Sequence, residues 1–288
     1  MKFYASKCHD RLNGSIFNPE SVADAIMMNP NYSQVSVPVG YPYMLDSGAF
    51  QDVATEKRLS FKDALDRQLL FEKKMGSQAE SIVSYDRLID EQVENGKQFK
   101  CRVDTATGEQ YVEETIQAAE YLAHALPTRQ LVLSNQGTTV EQYVTCVENI
   151  LRVAKPTDII GIGGFCILSK SKKYKEDYFE IMKLILPKIK EKGVSRIHIF
   201  GMSVFDVLIR TEILCTEYGI SPSYDTSSTE LNSVFGRVFD PIDGMIHNVF
   251  KKEEKHNGYE PAGLSLLNIK NVTDFWHNMD MIKWREKL

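Results

Sequence analysis

From residue 43 onward the chain alternates short apolar runs with amphipathic stretches, and no other feature limits its fold as tightly. The runs are "YML" (43–45), "SIVSY" (81–85), "QLVLS" (130–134), "DIIGI" (158–162), "RIHIF" (196–200) and "ISPSY" (220–224). Between most of them, apolar residues recur at helical spacing. Val112, Ile116, Ala119, Leu122 and Leu126 share one face, and so do Tyr143, Val147, Ile150, Leu151 and Ala154, with Pro156 closing that helix. Tyr178, Ile181, Leu184 and Ile189 mark a third helix ending at Gly193. Ser203 is the expected N-cap of a fourth, which runs to Gly219. Strands alternating with helices predict a parallel sheet. Two upstream runs, "KFYAS" (2–6) and "SQVSVPV" (33–39), raise the number of strands to eight, enough to close a (β/α)8 TIM barrel. The expected architecture is α/β: a single domain with its barrel over residues 1–240 and a C-terminal helical extension, 241–288, packed on it. "DFWHNMDMIKW" in that extension reads as a packing helix. An open doubly wound sheet is the structural alternative.

Composition narrows the setting. At 288 residues, with 43% hydrophobic and 25% charged residues, the chain can bury a sizeable core. Its five cysteines (8, 101, 146, 166 and 215) are scattered and form no CxxC pair, so reduced thiols are expected rather than a disulfide framework or a metal site. The N-terminus "MKFYASKCHD" has no apolar core of a signal peptide, and no run is long enough to span a bilayer, so the expected location is cytoplasmic, with no membrane partner. A formal net charge of -5 does not draw the whole chain to a polyanion. Any nucleic-acid contact must come from a local patch such as "SKSKKYKED" (169–177) or "FKKEEKH" (250–256), either of which also reads as a solvated helix end or loop.

In a barrel of this kind the active site lies at the C-terminal ends of the strands, so the polar residues that follow each apolar run matter most. Asp46, Ser47 and Gly48 follow the run at 43–45, and Asp86 follows "SIVSY". Asn135, Gln136 and Gly137 follow "LVLS", Gly163 and Gly164 follow "IIGI", Gly201 follows "RIHIF", and Asp225 follows "ISPSY". Each has a plain structural reading as a turn or helix cap. Three carboxylates on one rim are not required by any of those readings.

That set suits a purine. An ionised Asp accepts the paired N–H donors of guanine's N1 and N2 edge, while a Gln amide and a backbone N–H donate to O6. Glycine lets the backbone approach the ring. Two further carboxylates suit glycosyl transfer, one as nucleophile at the anomeric carbon and the other as acid or base.

In this setting "LDSGAFQ" (45–51) resembles the DSGGFQ motif of tRNA-guanine transglycosylases, with Ala49 in place of the second glycine. "VSYDRL", "LSNQG", "GIGGF", "IFGMS" and "SYDTSS" resemble the later strand ends of that superfamily in the same order, over about residues 40–230. The resemblance implies a pentosyltransferase without a cofactor. Asp225 would be the nucleophile and Asp46 the general acid/base. Asp86, Gln136 and the Gly163–Gly164 backbone would read the base beside Ser47 and Gly48. Phe50 and Phe165 are candidates to stack on the base, with core packing as the alternative. His198 is a candidate for sugar or phosphate contact, a satisfied core histidine being the alternative. Lys170, Lys172, Lys173 and Lys175 would meet phosphates, and the polar stretch from Arg87 to Gln110 is a candidate lid or clamp.

The tRNA enzymes carry a C-terminal CxCxxC zinc set, whereas here no cysteine follows Cys215, so no metal is expected. The chain therefore resembles most the zinc-free DNA-guanine transglycosylases of phages and bacterial modification islands. That implies DNA as polymer partner, with tRNA as the alternative, and a free 7-deazaguanine such as preQ0 or preQ1 as the incoming base. A non-catalytic accessory subunit and a small-molecule glycosidase are the competing classes. The oligomeric state is open, a homodimer included.

Overall fold

The computed structural model describes residues 1–287 other than 8, 13, 33, 56, 95, 96, 167–170 and 250–260. Eight parallel strands close into a barrel: β1 (Lys2–Lys7), β2 (Ala25–Met28), β3 (Tyr43–Leu45), β4 (Ser81–Val83), β5 (Leu131–Asn135), β6 (Ile159–Ile162), β7 (Arg196–Ile199) and β8 (Ser221–Thr226). Closure is made by β1, which pairs with β8 through Tyr4↔Asp225 and with β2 through Tyr4↔Ala25. Strands of such a barrel are covered on both faces, which is why they read as unbroken apolar runs. Tyr4, Ala25, Met27, Met44, Val83, Val132 and Ile159 fill the interior with Phe200, while the alternate residues pack outward under the helices. Gly161 makes room for the Phe200 ring, since a Cβ there would lie 2.5 Å from a ring carbon.

The second strand differs from expectation. It is Ala25–Met28, not Ser33–Val39. Val35 and Val37 are partly buried against the core while Gln34, Ser36 and Pro38 are exposed. Alternation of that kind belongs to an extended segment covered on one face. All four residues of "AIMM" are buried, as a barrel strand requires. The strand at the other end of the chain also runs further than its apolar core, so that Asp225 lies within β8 rather than after it.

The helices are α1 (Ala49–Ala54), α2 (Phe61–Met75), α3 (Thr105–Ala125), α4 (Val140–Val153), α5 (Lys172–Glu191), α6 (Phe205–Tyr218), α7 (Ser228–Val234), α8 (Pro261–Asn278) and α9 (Met281–Lys287). Ser60, Asp104, Thr139 and Ser171 cap α2 to α5 through side-chain oxygens that accept backbone N–H bonds. Ser203 is not the cap of α6. That helix starts one residue later, from Val204 and without a side-chain cap bond, and Ser203 is exposed. The stretch 87–110 contains an antiparallel hairpin, Glu91–Glu94 with Lys97–Lys100, whose first strand lies against α1.

The C-terminal extension packs on the barrel, but the segment 274–284 expected as one helix is divided between α8 and α9, with Met279 and Asp280 between them. Phe275 and Trp276 of α8 are buried in an aromatic cluster with Phe205 and Phe239. The Trp276 indole N–H donates to the Tyr224 hydroxyl at 2.8 Å, tying the extension to the strand that carries Asp225. Asn268, fully buried, accepts from Phe239 N and donates to the Thr229 and Arg237 carbonyls, which fixes α8 against α7 and the antiparallel hairpin that follows it, Arg237–Phe239 with Ile246–Asn248. Among the described residues, no helix is long and apolar enough to cross a membrane.

Candidate active site

Asp46 stands one residue past β3. Its Oδ1 accepts the Ser47 N–H at 2.8 Å, and the chain then turns sharply through Gly48, whose φ is +79°. Glycine is demanded here twice over. The angle is one L-residues rarely adopt, and a Cβ would lie 2.7 Å from Arg67 Nη2 and 2.8 Å from Asn31 Nδ2. The turn feeds directly into α1, so "DSGAFQ" is a strand end, a left-handed glycine and a helix start in six residues.

Two side chains of α2 hold this turn. Arg67 donates to the Ser47 carbonyl at 2.5 Å, to Asn31 Oδ1 at 2.7 Å and to Asp52 Oδ1 at 2.9 Å. Asp52 in turn accepts from the Tyr85 hydroxyl at 2.8 Å, and Arg58 stacks over the Tyr85 ring. Gln68 donates to the Asp46 carbonyl at 2.9 Å and to the Val83 carbonyl at 3.0 Å, clasping the ends of β3 and β4 together. Neither Arg67 nor Gln68 is among the residues singled out from the sequence. The signal for Gln68 was present: it shares the buried face of α2 with Ala64, Leu65 and Phe71, where an amide needs a partner.

Asp86 follows β4 and is buried, with its main-chain carbonyl held by Arg58 at 2.7 Å. Burial, reinforced by the charge of Asp46, pushes its carboxyl up to about 7. Asp46 is raised to about 6, first by burial and then by the charge of Asp225. The three carboxylates thus feel one another in a chain, Asp86 to Asp46 to Asp225, across the mouth of the barrel. Glu230, in the first turn of α7 just beyond Asp225, is also pushed up to about 7 by burial.

Asp225 is held differently. Its Oδ1 accepts from His198 Nε2 at 3.1 Å and from Gly201 N at 3.0 Å. His198 is fully buried, with its other nitrogen 3.0 Å from Ser223 Oγ, so both ring nitrogens face protein atoms and the core-histidine reading describes it. Gly201 has φ +61°, and a Cβ there would lie 2.5 Å from Cys166 Sγ.

The remaining expected residues divide. Gln136 is buried between the strand ends and α3, and its amide nitrogen donates to the Arg87 carbonyl and to Thr115 Oγ1, leaving Oε1 without a partner among the described residues. Its neighbour Asn135 is fully buried, and neither of its side-chain polar atoms has a partner among the described residues. Gly163 and Gly164 form the turn after β6. Gly163 donates to Asn135 O and accepts from the Tyr143 hydroxyl, and Gly164 has φ +78° with Tyr143 and Ile89 pressed against the space a side chain would need. Phe165 stacks on Tyr143 at 5.2 Å, edge-on to Tyr178, and is buried in the core, so core packing accounts for it. Phe50 on α1 is exposed. Lys172, Lys173 and Lys175 lie in the first turn of α5, with Lys172 beside Glu176 and Lys175 beside Asp206 in exposed pairs. Lys170 and the 250–256 patch lie outside the described residues. Among the described residues, the trio of potential metal ligands is Asp240, Asp243 and His247, in a hairpin where both aspartates already accept backbone N–H bonds.

Compared with known proteins, the chain matches no family model and no curated protein sequence. The (β/α)8 barrel with a C-terminal helical extension is therefore carried by the structure, and the reading of the site rests on its residues.

Proposed function

We propose that this chain is a base-exchange transglycosylase that replaces guanine in a polynucleotide with a 7-deazaguanine through a covalent aspartyl–glycosyl intermediate. One observation carries the reading. Asp46, Asp86 and Asp225 stand at three strand ends of one barrel mouth, and Asp46 is held near 6, a value at which it can both give and take a proton. In the first half-reaction an Asp225 oxygen attacks C1′, the C1′–N9 bond breaks, and the electron pair leaves on guanine, which takes its proton from Asp46. In the second, Asp46 removes the N9 proton of the incoming 7-deazaguanine, whose nitrogen attacks C1′ and returns the ester electrons to Asp225. No net bond energy is consumed, so no nucleotide cofactor is called for.

Asp86, when ionised, is the acceptor for the N1 and N2 edge of the base, and the Gly163–Gly164 turn approaches the same mouth. With its amide nitrogen already spent, Gln136 offers Oε1, an acceptor, rather than the donor to O6 that the resemblance implies. It shapes the pocket through Arg87 and Thr115 instead. The target nucleotide must leave its stack to reach this depth. DNA is the polymer proposed, on the likeness of the motif series to the zinc-free branch; tRNA is the alternative.

The test is an exchange assay with labelled guanine, offering double-stranded DNA, single-stranded DNA and tRNA in parallel. Incorporation into DNA is expected. Incorporation confined to tRNA moves the assignment to the other branch, and none into any polymer, with a folded enzyme, removes it in favour of an accessory subunit.

A further inference from the structure

The geometry points to His198 as the positioning residue of the nucleophile: together with the Gly201 N–H it holds Asp225 Oδ1, makes Oδ2 the attacking oxygen, and stays on Oδ1 through the covalent intermediate. The inference rests on the transglycosylase reading of Asp225 and adds to it a residue that acts without touching substrate.

Proton counting supports it. A carboxylate acting as the proposed nucleophile only accepts, so in that role His198 Nε2, 3.1 Å from Oδ1, carries the proton between them. At the other nitrogen, Ser223 Oγ lies 3.0 Å from Nδ1 and 3.1 Å from the Ile197 carbonyl. If the hydroxyl proton points to Nδ1, the ring is neutral with its proton on Nε2; if it points to Ile197, the ring carries both protons. Nε2–H faces Asp225 in either case. The ring cannot swing away, because it is fully buried between the edge of Tyr4, 5.6 Å between centroids, and Phe200, 4.8 Å. Gly201 aims the second donor from a left-handed turn that Cys166 keeps free of any side chain.

Two donors on one oxygen have different consequences in the two half-reactions. While Asp225 attacks, Oδ2 keeps its lone pairs free. In the ester, Oδ1 is the carbonyl oxygen with both donors still in place. When the incoming base takes C1′, the electrons of the C1′–Oδ2 bond return to the carboxylate, and the charge that spreads to Oδ1 meets donors already aligned. His198 therefore assists release of the adduct more than its formation.

The variants separate donor from filler. The amide nitrogen of Gln reaches where Nε2 sits, that of Asn reaches only the Nδ1 position, and Phe fills the space with neither. We expect H198N and H198F to lower kcat about 10–100-fold, at and below the lower end of the range for loss of one such donor, with KM for the incoming base within about twofold and a larger steady-state fraction of covalent adduct on denaturing gels. H198Q should stay within about fivefold of the parent enzyme, since the donor to Oδ1 is kept. Independently of turnover, 15N spectra of the imidazole should show a protonated Nε2 whose resonance moves in Asp225→Asn. The inference is overturned by an unprotonated Nε2, by H198N turning over at the parent rate, or by a folded H198Q as slow as H198F. A parent enzyme that exchanges no base in any polymer refutes the transglycosylase reading instead, and the 15N spectra then decide alone whether His198 holds Asp225.

Discussion

On the β7–β8 side of the barrel mouth, Asp225 accepts two N–H donors on one oxygen, from a buried ring and a glycine backbone. On the β3–β4 side, Asp46 and Asp86 are raised to about 6 and about 7 because burial and neighbouring carboxylates penalise their charge. Both sides are built from strand-end aspartates, yet one is arranged to keep an anion oriented and the other to keep protons within reach. The proposed nucleophile and the proposed proton carrier need those opposite environments, and the difference between the two sides is what supports the proposed roles.

The comparison is broken most severely by removing the pinned carboxylate. Asp225→Ala should abolish the covalent enzyme–nucleic-acid adduct and reduce exchange by at least about 10³-fold, as loss of a nucleophile does. An adduct that survives on denaturing gels would place the nucleophile elsewhere. Next in size is Asp46→Asn, which keeps the shape and the Ser47 contact but can neither take nor give the proton. Exchange should fall about 10²–10³-fold, within the range for general acid–base catalysis, while Asp225 remains able to form some adduct. If Asp46→Asn and Asp225→Ala were equally devoid of adduct, the two roles would not be separable as assigned.

How much of this contrast was legible in the sequence follows from what each element demands. The aspartates were legible because strand ends in an alternating β/α pattern must meet at one rim, whatever the helices do. The second strand was not, because "SQVSVPV" shows the period-two alternation taught by half-exposed sheets, whereas "AIMM" is too short and too uniformly apolar to show any period. His198 could be placed on β7 but not paired, since its partners Ser223 and Asp225 come from the next strand in register, where His198 lies beside Ser223. Gln136 was read as a donor because its type allows it; only the packing of α3 shows that Thr115 and the Arg87 carbonyl have taken its protons. Phe165 carried no mark in the sequence to separate a stacking ring from a core one.

The protonated side can be sharpened through stability. In the folded chain the Asp86 carboxyl titrates near 7 rather than near 4, so the folded state holds its proton over a range where the unfolded chain has lost it. Stability should therefore fall as pH rises from about 4 to about 7 and level off above. Asp86→Asn removes that penalty, and at pH 8 it should stabilise the protein by about 2–4 kcal/mol, a rise in Tm of several degrees. At pH 4 the gain should vanish. In the same variant the incoming base should bind more weakly if Asp86 is, as proposed, the acceptor of its N1 and N2 edge. A thermal melt series that shows no pH-dependent difference between the two proteins would mean that Asp86 is better solvated than its burial implies.

The smallest effect is expected furthest from the carboxylates, where neither side of the mouth is touched. Lys172 and Lys175 already have acidic neighbours at exposed positions, and such pairs are weak enough for a phosphate to compete. They stand with Lys173 in the first turn of α5, where the helix dipole adds to their attraction for an anion. Each lysine that meets a phosphate of duplex DNA contributes about 0.9 to the slope of log affinity against log salt concentration. Replacing all three with Gln should flatten that slope by about 1–3, with a few-fold loss of affinity at low salt and kcat at saturating DNA unchanged. An unchanged slope would send the polymer along another part of the rim, such as the hairpin strand beside α1.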